Sequence, residues 1–178
     1  MENIYVNKDV CSKCGGICCR SMGCHISPSN LKEVTYDYIK KMLDTGFVSI
    51  DYWDGDPITD KNNGERAYFL RMRNVNAPVA DPSWGGQCIL LTSKGCPLQF
   101  KDRPLGARLL VPKENEECIP EYTKQDCAKD WFKYNDILDR LWKEYDGNNS
   151  DAGNIDNALD ALVDAIKKAR EHFIGEEK

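Results

Sequence analysis

Histidine is nearly missing from this 178-residue chain: there are two, His25 and His172. That leaves little for acid–base catalysis of the usual kind. No stretch approaches the roughly 18 consecutive apolar residues of a membrane span. No G-x-G-x-x-G fingerprint, Walker loop, H-E-x-x-H helix or G-x-S-x-G elbow occurs. The net charge is −5, and no basic patch stands out, which disfavours nucleic acid or an anionic membrane as a partner. Met1–Val6 has neither a basic nor an apolar leader-like segment. The expectation is a cytoplasmic protein with reduced thiols.

What the chain does have is sulfur. Nine cysteines occur, with Cys11, Cys14, Cys18 and Cys19 spaced C-x2-C-x3-C-C and Cys24 close behind. Cores use cysteine singly, as a small hydrophobe. Five thiols in so short a stretch, interrupted by Gly15, Gly16 and Gly23, suit soft metal ions instead. A disulfide framework fits poorly, because the cysteine count is odd. Cys18 and Cys19 are also neighbours, with Cα atoms about 3.8 Å apart, closer than an ordinary disulfide spans.

Four further cysteines lie downstream. Cys88 and Cys96 bracket a short apolar run, and Cys118 and Cys127 flank the entry to a long helical pattern. Zinc and [4Fe–4S] clusters each commonly take four thiolates. The candidate ligands are therefore Cys11, Cys14, Cys18, Cys19, Cys24, Cys88, Cys96, Cys118 and Cys127. They would form one site, or two neighbouring sites, assembled from distant segments. His25 is a reserve donor, and His172 receives no role. The spacing leaves zinc and an iron–sulfur cluster both open, with a slight lean to iron because thiols abound and histidine does not.

The fold class expected is α+β: a small cysteine-rich domain with short antiparallel hairpins and flanking helices. Residues 1–178 read as one domain, with a metal-binding region over 1–122 and a C-terminal helical pair over 123–178. Ser27-Pro28-Ser29 should start a helix carrying Leu31, Val34, Tyr38, Ile39 and Met42, with Gly46 ending it. Phe47–Trp53 and Arg66–Arg73 read as strands separated by a loop from Asp54 to Asn63. Cys88–Thr92 reads as a third short strand, followed by a Ser93-Lys94-Gly95 turn. Thr123 is placed to cap a helix whose apolar face is Cys127, Trp131, Tyr134, Leu138, Leu141, Trp142 and Tyr145. After Gly147–Ser150, a second helix should present Ile155, Leu159, Leu162, Val163 and Ile166.

Three segments carry a family likeness: Cys11–Cys19, Cys88–Leu98 and Lys101–Pro112. In that order they resemble the zinc- or iron-chelating cysteine-cluster (CxxCxxxCC) family of bacteria, related to the cysteine-rich part of flagellin lysine-N-methylases. The resemblance implies metal binding. One position departs from it: the family's cysteine in its R-P-x-x-C-R run is Ala107 here. Cys118 or Cys127 could supply the missing sulfur. Arg103 and Arg108 would then sit near thiolates and offset their charge. The functional expectation is a metal-binding protein with no assigned catalytic residue, the alternative being an iron–sulfur oxidoreductase or electron carrier. The metal ion or cluster is the one partner indicated.

Overall fold

The computed structural model describes residues 4–5, 16–21, 23–83, 85–93, 95–113 and 118–146, with the backbone alone of residues 17 and 18. The elements run α1 (Ile17–Ser21), β1 (His25–Ile26), a 3-10 turn (Pro28–Asn30), α2 (Tyr36–Asp44), β2 (Val48–Asp56) and β3 (Lys61–Met72). A 3-10 turn (Phe100–Asp102), α3 (Leu105–Arg108), β4 (Leu110–Val111) and β5 (Ile119–Pro120) come next. The last are α4 (Lys124–Trp131), a 3-10 turn (Phe132–Tyr134) and α5 (Asn135–Tyr145). This is the α+β class expected. The second C-terminal helix falls outside the described residues.

The centre is an antiparallel sheet in the order β1-β3-β2. β2 and β3 form a hairpin in register from Val48↔Met72 to Asp54↔Arg66, which slips before Asp56↔Lys61. The strands run well into the segment expected to be loop, leaving only residues 57–60 as the turn. That half of β3 is exposed at every position from Lys61 to Arg66, so it carries no apolar alternation to announce it. Asp56 organises the turn, accepting from the Ile58 N–H at 2.8 Å and the Thr59 hydroxyl at 2.7 Å.

The first long helix starts later than expected. Ser27 does cap, but in a reciprocal pair with Asn30 that closes a single 3-10 turn. Leu31 then leaves helical conformation (φ −101°, ψ 147°), and Thr35 caps α2 in its place. Thr123 caps α4 as expected, reciprocally with Asp126. The long C-terminal pattern is two helices, because a 3-10 turn at Phe132–Tyr134 interrupts it. Asn135 pins that break to the sheet, accepting from the Tyr68 N–H (2.8 Å) and donating to the Arg66 carbonyl (3.0 Å).

One buried cluster runs from Ile26 to Tyr145. Ile39, Ile50, Phe69, Leu70, Trp131, Leu138 and Leu141 are wholly enclosed in it. Full burial of such side chains contributes about 1.5–3 kcal/mol each. Beside them lies a buried ionic knot. Arg71 reaches Asp51 at 3.0 Å and Asp81 at 2.5 Å, and Lys124 reaches Asp51 at 3.2 Å.

Candidate metal centre

Backbone pairing gathers the thiols. Cys24 immediately precedes β1, and its carbonyl accepts from the Met72 N–H at 2.8 Å. Gly23 beside it donates to the Asn74 side chain at 2.8 Å. Asn74 in turn bridges to Cys88 across an isolated antiparallel pair. The Cys88 N–H donates to the Cys19 carbonyl at 2.7 Å, which stitches the early cysteine segment directly to the middle one. Cys88–Thr92 is not a strand. Cys88 and Leu90 are buried, but the run makes only the Asn74↔Cys88 and Thr92↔Gly95 bridges.

Two more thiols arrive from other directions. The Thr92–Gly95 turn, closed by mutual backbone bonds of 3.0 and 3.1 Å, presents Cys96. Cys118 enters β5, whose pairing with β4 (Val111↔Ile119) folds it back toward α3. Pro104 starts α3, and Asn30 accepts from the Leu105 N–H at 3.0 Å. Gly106 then lies flat on β1: a Cβ there would meet His25 backbone atoms at 2.9 Å.

The outcome is a hollow of about 140 Å³ lined by Cys19, Cys24, Cys88, Cys96 and Cys118, with Arg103 and Ala107 in the same wall. Burial raises the Cys24 thiol well above its usual range, and the neighbouring Cys88, Cys19 and Cys96 push it further. Burial likewise raises Cys88, with Cys96 adding to it. Such mutual repulsion between thiolates is what a bound cation relieves. Arg103 brings positive charge to this wall while its Nε donates to the Leu98 carbonyl at 3.1 Å. Among the described residues, no three His, Cys, Asp or Glu side chains already stand grouped closely enough to hold an ion. Cys11, Cys14 and the Cys18 side chain lie outside the described residues. None of the described cysteines is in a disulfide.

Cys127 goes elsewhere. It is fully buried on α4, its sulfur facing the Ile26 carbonyl at 3.5 Å and the Leu70 carbonyl at 3.8 Å. It lines neither this hollow nor its neighbour, and behaves as a core residue. Arg108 also stays apart from the lining, with its Nε buried and unpartnered among the described residues.

A larger hollow of about 590 Å³ adjoins the first. Cys19, Cys24, Ala107, Leu110 and Cys118 belong to both walls. Its far side is built by Trp53 and by residues of the α4 entry, including Lys124. His25 lies there too, packed edge-on against Phe69 with ring centroids 5.5 Å apart. Burial, then the charges of Arg71 and Lys124, lower its pKa to about 4, so the imidazole is neutral near pH 7. A bond to the Tyr122 backbone engages the ring, while Nε2 is buried and unpartnered among the described residues. Nothing in the linear pattern announced Lys124 or Trp53 as lining residues. Their partners lie tens of positions away.

No known family, characterised protein or solved structure matches this chain. Among the described residues, no helix is long and apolar enough to cross a membrane.

Proposed function

We propose that this chain is a metal-binding protein of the cysteine-cluster kind, its thiols holding zinc or an iron–sulfur cluster in a reducing compartment such as the cytoplasm. The observation that carries the reading is the convergence of Cys19, Cys24, Cys88, Cys96 and Cys118 on one small hollow from four separate stretches of chain. A core has no use for five thiols on one wall, whereas soft ions do. Cys118 and Ala107 share that wall, which favours Cys118 over Cys127 as the donor that replaces the alanine.

When bound, the metal would supply a positive charge that holds the thiolates deprotonated. The chain's own part is to place the sulfurs, and the Arg103 guanidinium offsets their negative charge. The stitches Cys88 N–H to Cys19 carbonyl and Met72 N–H to Cys24 carbonyl hold two of the segments in place. Structural thiolate sites can contribute on the order of 10 kcal/mol to folding.

Anaerobic purification, elemental analysis and a visible spectrum test the reading. Stoichiometric zinc in a colourless protein, or iron with acid-labile sulfide, is the expected result. The full chain purified without metal, and failing to take up either on reconstitution, overturns it. Cys118→Ser should lower the bound metal measurably.

A further inference from the structure

We propose that the larger hollow seats a small monocarboxylate with an apolar body, its charge held by Lys124 and Trp53. This ligand goes beyond the metal-binding reading and does not draw on it. Lys124 and Trp53 meet in one wall because of the strand between them. Side chains two apart on a strand share a face. Asp51 and Trp53 are so related on β2, and Lys124 reaches across from α4 to bond Asp51 at 3.2 Å. Ammonium and indole therefore stand at the same end of the hollow, in the part of its wall that the smaller hollow does not share. Cys19, Cys24 and Cys118 stand in the shared part.

Size and charge narrow the ligand. About 590 Å³ falls within the range of small-molecule sites. Among the described lining residues there is no carboxylate, and Lys124 carries the one formal charge, His25 being neutral. Asp51 does not cancel that charge, because it is shared with Arg71 at 3.0 Å. The charges felt at His25 in this wall are those of Arg71 and Lys124, both positive. The Lys124 side chain is 21% exposed, so an anion can reach it. Trp53 adds a donor. Trp131 and Trp142 spend their indole N–H groups on the Ile26 carbonyl (2.6 Å) and the Asp146 carboxylate (3.2 Å), whereas that of Trp53 bonds no described residue. Ala107, Leu110 and Pro120 give the remaining lining an apolar surface. A carboxylate placed among the sulfurs would meet groups that carry negative charge when ionised. Placed at Lys124 it meets an ammonium, and its apolar body then lies along Leu110 and Ala107.

Titration calorimetry of the full chain, as purified, tests this with octanoate as the probe. Octanoate should bind saturably, at one equivalent per chain. 1-Octanol keeps the tail and lacks the charge, and should bind about tenfold more weakly. Acetate keeps the charge and lacks the tail, and should give no saturable heat. Lys124→Met should weaken octanoate about tenfold, but it also takes a partner from Asp51, so its melting curve must first show a folded chain. Trp53→Phe keeps a ring, removes only the N–H, and should weaken octanoate about fivefold. No saturable binding at millimolar octanoate overturns the inference. Octanol binding as tightly as octanoate overturns it too, because the hollow then selects no charge. Full affinity in Trp53→Phe also overturns it, because the carboxylate then lies elsewhere. Metal content, measured on the same sample, decides the metal-binding reading separately from all of these.

Discussion

Replacing Arg71 with methionine tests the ionic knot beneath the sheet. The side chain is fully enclosed. Its Nε donates to Asp51 at 3.0 Å, and its Nη2 donates to the Asp81 carboxylate at 2.5 Å and carbonyl at 3.1 Å. Weaker bonds reach the Met72 and Ser83 carbonyls, both at 3.3 Å. Methionine keeps the apolar stem and loses all five bonds. The Asp51 carboxylate retains Lys124 and the Tyr52 N–H at 2.6 Å, but the Asp81 carboxylate keeps only the Ser83 N–H at 2.9 Å among the bonds described. Removing one member of a buried pair costs about 3–5 kcal/mol, because the other charge is left stranded. For a chain of this size that is a fall in Tm on the order of 10 °C. Adding Asp81→Asn to Arg71→Met should restore part of the loss by removing the stranded carboxylate. Urea unfolding followed by circular dichroism measures both. A loss below about 1 kcal/mol, or a double variant weaker than the single by the full cost of Asp81→Asn, would refute the reasoning.

Cys127→Ser should leave the metal content of the purified protein unchanged while lowering its melting temperature, since this thiol sits in the core; a drop in metal per chain would place it in the ligand set. Apparent metal affinity should rise with pH through the neutral range, because burial holds the Cys24 and Cys88 thiols protonated and binding must displace those protons; calorimetry in buffers of different ionisation enthalpy counts them. His25 has its pKa lowered from 6.5 to about 4 on folding, so the unfolded chain takes up a proton that the folded chain refuses. Stability should therefore fall as pH drops from 6.5 to 4, by roughly 3 kcal/mol, and level off below; His25→Gln should lack that slope in urea titrations. Gly23→Ala should destabilise the fold severely, since its Cβ would stand 1.8 Å from the Met72 carbonyl oxygen; a thermal melt within about 2 °C of the parent contradicts the close approach.

Local chemistry was legible and long-range chemistry was not. Thr123 with Asp126 three residues on announces a helix start, and the chain builds one there. The run Arg66–Arg73 announces a strand, and β3 covers it as far as Met72, buried from Ala67 on. Ser27 misled because a capping pair specifies one turn and does not fix the conformation of Leu31 beyond it. Lys61–Asn63, expected to be loop, misled because strand residues exposed at every position have no alternation to show. The ionic knot joins positions 51, 71, 81 and 124, a relation with no local signature. Among the thiols, type and spacing marked all nine alike. Only the placement of α4 separates Cys127, facing two core carbonyls, from Cys118, facing the shared wall.

The short reach of β1 leaves the sheet with a bare margin. β1 pairs with β3 only at Leu70 and Arg71, so among the described residues the stretch Lys61–Arg66 has β2 on one side and no strand on the other. Asn135 takes the Arg66 carbonyl at one end of it, and unpaired N–H and C=O groups along the rest of such a margin are a template on which another molecule can add a strand. Lys61, Glu65 and Arg66 set charges along it, and Gly64 takes a left-handed turn (φ +77°) that spoils its straightness. The polar sequence that concealed this strand from pattern reading thus also guards it. Exchanging those charges for valine or threonine would strengthen the strand on paper and invite fibrils in concentrated solution.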